Sequence, residues 1–127
     1  MKQPEELARR FLTLADRDLR AFRKLSDDLE IDDEVVGFHA QQAVEKCLKA
    51  VLAKHRVEVR KTHDLQVLIE LLAQNNLPGP PFREGIDALG PFAVELRYDL
   101  MVTEPLDREQ ACKVTESVRR WAEQQLS

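Results

Sequence analysis

The sequence predicts an all-α fold, an up-and-down antiparallel bundle of four to five helices, and three observations carry that prediction. Aromatic residues are only 6% of the 127 residues and Gly numbers 4, while Ala, Leu, Glu, Lys, Arg and Gln dominate. Such a composition suits helices and is poor material for a sheet, which favours β-branched and aromatic side chains. Apolar residues recur at intervals of three and four, the period of a helix with one buried face. Short polar or proline-rich breaks separate these stretches, the strongest being Asn75 to Pro81, NNLPGPP.

The first helix follows from Leu7, Phe11, Leu14, Ala15, Leu19, Phe22 and Leu25, and ends in the turn from Ser26 to Asp33. The second runs from about Asp33 to Lys54, with Val36, Ala40, Ala43, Val44, Cys47 and Val51 as its apolar stripe. After a polar stretch from His55 to Lys61, the third begins at Thr62-His63-Asp64. There Thr62 is the expected N-cap and Asp64 an acid in the first turn, with Leu65, Leu68, Ile69 and Leu72 facing the core. A fourth helix is expected over Arg83 to Leu96, weakened by Gly85, Gly90 and Pro91, with a kink or break near Pro91. The last starts near Pro105 or Asp107 and shows Ala111, Val114, Val118, Trp121 and Ala122 at helical spacing.

Residues 1–127 read as a single domain, with 43% hydrophobic residues for a core and 33% charged residues for a solvated surface. A net charge of -4 argues against a general DNA binder, which would show a basic excess. No apolar run reaches the ~18–20 residues of a membrane span. The N-terminal MKQPEELARRF lacks the apolar region of a signal peptide, so the expected location is cytoplasmic. Cys47 and Cys112 lie on apolar faces and read as buried, reduced thiols. The histidines at 39, 55 and 63 have no zinc-site spacing, and neither a P-loop, a dinucleotide fingerprint nor a GxSxG motif is present, so no metal or cofactor is expected.

Three groups of polar residues could carry chemistry. On the second helix, at ~100° per residue, His39, Gln42, Lys46 and Lys49 share a side opposite Ala43, Cys47 and Val51, with Glu45 on the edge. Two ammonium groups, an amide and an imidazole could hold a phosphate or carboxylate. The competing reading is a solvated face with Glu45 and Lys49 as an i,i+4 ion pair. The second group is Thr62-His63-Asp64-Leu65. His63 with a carboxylate could act as a general base, yet neighbours on a helix diverge by about 100°, so capping explains Asp64 better. The third is Arg97-Tyr98, which could line a pocket or cap carbonyls and pack on the bundle.

Taken in order, Phe38 to Leu52 (FHAQQAVEKCLKAVL), Thr62 to Leu65 (THDL) and the Arg97-Tyr98 pair resemble the HEPN domain family, over nearly the whole chain. The resemblance implies a helical bundle similar to the substrate-binding helical domain of nucleotidyltransferases, usually a homodimer. It implies partnership with a minimal nucleotidyltransferase in a two-component, toxin–antitoxin-like system. It also places a nucleotide or other small polar ligand at Gln42, Lys46, Lys49, His63, Arg97 and Tyr98. Ribonuclease branches of the family carry an Arg followed after four to six residues by a His near the later helices. Here Val102, Thr103 and Glu104 stand where that His would be, and the formal match Arg56 to His63 spans a loop. A non-catalytic binding subunit is therefore the leading expectation. A metal-independent ribonuclease toxin with an atypical motif and a purely structural interaction module are the alternatives.

Overall fold

The computed structural model describes residues 3–59, 61–93 and 105–127. Five α-helices follow one another: α1 (Pro4–Ser26), α2 (Asp33–Lys54), α3 (Leu65–Gln74), α4 (Arg83–Asp87) and α5 (Arg108–Leu126). A 3-10 turn, Gly90–Phe92, lies between α4 and α5, and the described residues contain no strand. The packed all-helical bundle read from the periodicity is thus what forms.

Cross-links give the helix directions. Arg9 pairs with Glu123, Asp16 with Arg119 and Arg23 with Glu116, so α1 and α5 run antiparallel. Asp33 meets Arg108 at one end and Lys54 donates to the Leu126 carbonyl at the other, so α2 and α5 run parallel. Arg119 grips both carboxylate oxygens of Asp16, at 2.7 and 3.2 Å, and the Asp16 hydrogen bond is the main reason its pKa is raised. Glu123 is held below its ordinary range, first by Arg9 and then by Arg119.

The α1 core face matches the one the periodicity gives at Ala15, Leu19 and Phe22 and differs elsewhere. Ala8, Leu12, Ala15, Leu19 and Phe22 are buried, whereas Leu7 is 37% exposed and Phe11 and Leu25 are only partly covered. Helix α2 is the central one: it contacts α1, α3, α5 and the 3-10 turn, and is buried on nearly every side. Gly37 is needed there, because a Cβ at that position would overlap the Phe92 ring.

One expected element changes. The fourth helix stops at Asp87 rather than continuing toward Leu96, since Gly90 and Pro91 form the 3-10 turn and Ala93 is extended. Arg97 and Tyr98 lie outside the described residues. At the start of α2, Asp33 has a role its sequence context does not announce. It accepts from the Leu106 N–H and from Arg108, whose guanidinium also donates to the carbonyls of Ser26, Asp28 and Ile31. One arginine therefore closes the α1–α2 loop. No helix among the described residues is long and apolar enough to cross a membrane.

Both cysteines are free; Cys47 is buried as expected, and Cys112 is only partly so. Burial pushes the Cys47 thiol up to about 12. An unfolded thiol ionises near 8.5, so folding is favoured by proton retention below that pH, and the contribution fades as pH rises toward about 12. Urea titrations above pH 9 should show stability falling with pH, and Cys47→Ala should flatten that slope. At neutral pH, Gly37→Ala should lower unfolding free energy by about 1–3 kcal/mol through overpacking against Phe92.

Candidate functional site

The polar face of α2 is folded into the protein rather than solvated. Gln41 is fully buried, Glu45 is 2% exposed and Gln42 7% exposed, while Lys46 and Lys49 are half-buried. Buried polar groups need partners, and here the partners come from other segments. The face divides into two carboxylate-centred clusters, each holding one histidine and one lysine.

The first cluster faces α1. The His39 Nδ1 lies 3.0 Å from an oxygen of Asp18, and Lys46 donates to the other oxygen. Asp18 sits within the apolar stripe of α1, between Leu14 and Phe22, and is itself buried. An acid on a core-facing stripe was the available signal for this cluster.

The second cluster faces the segment before α3. One oxygen of Glu45 accepts from Gln42 Nε2 at 3.2 Å and lies 2.9 Å from His63 Nδ1; the other accepts from Lys49 at 2.9 Å. Gln42 also donates to the Gln41 side-chain oxygen, and Gln41 donates at 2.8 Å to the His63 main-chain carbonyl. Two glutamines and a glutamate of α2 thus hold both the ring and the backbone of His63. The carboxylate that orients His63 is Glu45, eighteen residues upstream, and not its neighbour Asp64.

Asp64 has the local task. It is the N-cap of α3, accepting from the Gln66 N–H at 2.9 Å, while the Asp64 N–H donates to the Thr62 hydroxyl at 3.1 Å. The expected cap at Thr62 is therefore displaced by two residues, because Thr62 is spent on a preceding turn. Beside this turn lies an open cavity of about 460 Å3 lined by Lys61, Thr62, His63, Asp64, Leu65, Gly90 and Ala93.

Of the residues read as candidates, Gln42, Lys49 and His63 come together around Glu45, and Lys46 belongs to the Asp18 cluster. Periodicity alone missed Asp18 and Gln41. Among the described residues no group of His, Cys, Asp and Glu could hold a metal ion.

A family model, the HEPN domain, matches residues 8–125. The chain belongs to the HEPN family. That span takes in all of α2, the Thr62–Leu65 turn and nearly the whole of α5. No curated protein and no solved structure matches the chain.

Within this HEPN domain, Glu45 should behave as a structural anion as well as a site residue. Glu45→Ala leaves the largely buried Lys49 without its carboxylate, and the part-exposed His63 without its partner, and should cost about 3–5 kcal/mol in urea unfolding. Lys113→Ala, which removes one half of an exposed ion pair with Glu109, should change stability by less than about 0.5 kcal/mol.

Proposed function

We propose that this HEPN protein is a non-catalytic binding subunit. It holds a nucleotide or other small polar ligand, forms a homodimer in the cytoplasm, and partners a minimal nucleotidyltransferase in a two-component system of toxin–antitoxin type. Family membership supports the class of role. The observation that carries the reading is the cavity whose His63 is fixed, ring and backbone, by a buried network from α2. Spending buried polar groups to orient one part-exposed side chain is how a binding constellation is preorganised. Gln42, Lys49 and His63 belong to that constellation, Lys46 lies one turn away in the neighbouring cluster, and Arg97 and Tyr98 complete the proposed ligand set.

The ribonuclease reading draws on a specific observation too. A buried carboxylate 2.9 Å from an imidazole nitrogen is the arrangement that makes histidine a directed acid or base. The two readings separate in one experiment. Calorimetry with mononucleotides, run beside a labelled RNA in EDTA, should give saturable binding that His63→Ala weakens by roughly tenfold or more, with the RNA left intact. Metal-independent RNA cleavage lost in His63→Ala would replace the binding-subunit reading with the ribonuclease one. Co-purification with a nucleotidyltransferase encoded nearby, and a dimer mass in analytical ultracentrifugation, test the partner and the assembly.

A further inference from the structure

Helix α1 carries a second apolar line that the core does not use up. Ala8, Leu12, Ala15, Leu19 and Phe22 are buried, whereas Leu7, exposed, and Leu14, half-buried, stand seven residues apart on another side. At the N-terminal end of α1 this line opens into a cavity of about 570 Å3. Leu7, Phe11, Val57 and Val59 give its apolar walls, and Arg56 and Glu58 add one charge of each sign. The chain turns back to make that wall because Arg56 takes a left-handed φ of 60° after α2, and the Val57 N–H donates to the Leu52 carbonyl at 3.0 Å. Apolar surface gathered in this way marks a docking site rather than a scatter of single exposed residues.

Arg10 and Arg17 repeat the same interval beside it. Each lies three residues beyond its leucine, turned about 60° from it, and seven residues of helix set the two about 10.5 Å apart. Both are exposed. Arg9 and Arg23 are engaged by Glu123 and Glu116 of α5, but among the described residues no carboxylate engages Arg10 or Arg17. Glu6, one turn before Arg10, is exposed and not bonded to it. Of the acids that follow on α1, Asp16 is taken by Arg119, and Asp18 by His39 and Lys46. Arg20 and Lys24, also exposed, extend the positive side.

An apolar line at heptad spacing with a charged line beside it is the pattern by which one helix receives another. We propose that this face of α1 docks an amphipathic helix of a partner protein. Its apolar residues lie along Leu7 and Leu14, with one large side chain in the cavity, and its acidic residues lie against Arg10 and Arg17. A second copy of this chain is a poor occupant. Laid antiparallel on itself across a two-fold, α1 would bring Arg10 and Arg17 against the same arginines. This cavity shares no lining residue with the one beside His63, so the inference stands apart from the nucleotide-binding reading.

The test is fluorescence anisotropy of the purified protein with two labelled synthetic helices of about three heptads. Both carry leucine at the a and d positions; one has glutamate and the other lysine at e and g, so that like charges oppose self-association. The glutamate helix should bind roughly tenfold or more tighter than the lysine helix at low salt, the gap narrowing as salt is raised. Arg10→Glu/Arg17→Glu should reverse that preference with Tm unchanged, since both positions are exposed. Leu7→Gln, which alters no charge, should weaken the glutamate helix by roughly tenfold. Equal affinity for the two helices, binding of neither, or a preference that survives the double charge reversal would overturn the inference. So would a dimer that sediments as a monomer once Arg10 and Arg17 are reversed, because the face would then belong to a second copy. Mononucleotide calorimetry on the same variants should match the unaltered protein, which keeps failure here distinct from failure of the binding-subunit reading.

Discussion

The buried carboxylate of Glu45 is the constraint around which this domain is arranged. A carboxylate at 2% exposure is costly unless it is fully bonded, and this one is bonded by Gln42, Lys49 and His63. Two of those partners lie on α2 itself at helical spacing, so the helix supplies them at once. The third must be brought in from the chain before α3. Gln41 completes the arrangement by holding the His63 carbonyl, so the entry to α3 is docked on α2 through both side chain and backbone. The cavity beside Asp64 exists at that place because the turn is fixed there.

The overall class of fold was legible because it depends on periodicity within single helices. Bounds for α2 came out as Asp33 to Lys54, and α5 begins just after the Asp107 that its pattern points to. In the fourth segment the break expected near Pro91 forms, although the helix itself already ends at Asp87. Ile86 and Leu89 continue a helical period, but Gly90 and Pro91 divert the backbone into a 3-10 turn, and local geometry outweighed the pattern. For α1 the period was right and Ala15, Leu19 and Phe22 are buried as it gave, while toward the N-terminus Ala8 and Leu12 are buried and Leu7 stays 37% exposed.

The Glu45 cluster was legible in its members and, apart from the i,i+4 pair with Lys49, not in its bonds. Gln42, Lys49 and His63 could be singled out as polar residues at telling positions. Their meeting at Glu45 depends on packing between α2 and a segment many residues away, which spacing along one helix cannot register. For the same reason the Asp18 carboxylate that matches Lys46 could not be read along α2, whereas the Glu45–Lys49 pair at i,i+4 could be, and it forms. Asp18 shows the one signal of this kind that a sequence does carry: an acid on an apolar stripe must have a partner waiting.

The parallel course of α2 and α5 has an electrostatic meaning of its own. Both helix N-termini fall at the end of the bundle closed by Arg108, and each terminus behaves as roughly half a positive charge. Asp27, Asp28, Glu30, Asp32, Asp33 and Asp107 crowd the same end. These acids are thus the counter-charge to a pair of converging peptide dipoles, with the Arg108 guanidinium set between them. At the opposite end the C-termini of α2 and α5 converge, and Lys54 reaches across to the Leu126 carbonyl of α5. The bundle is accordingly polarised along its length. The loop that looks like solubilising decoration is the negative pole that lets two helices begin side by side.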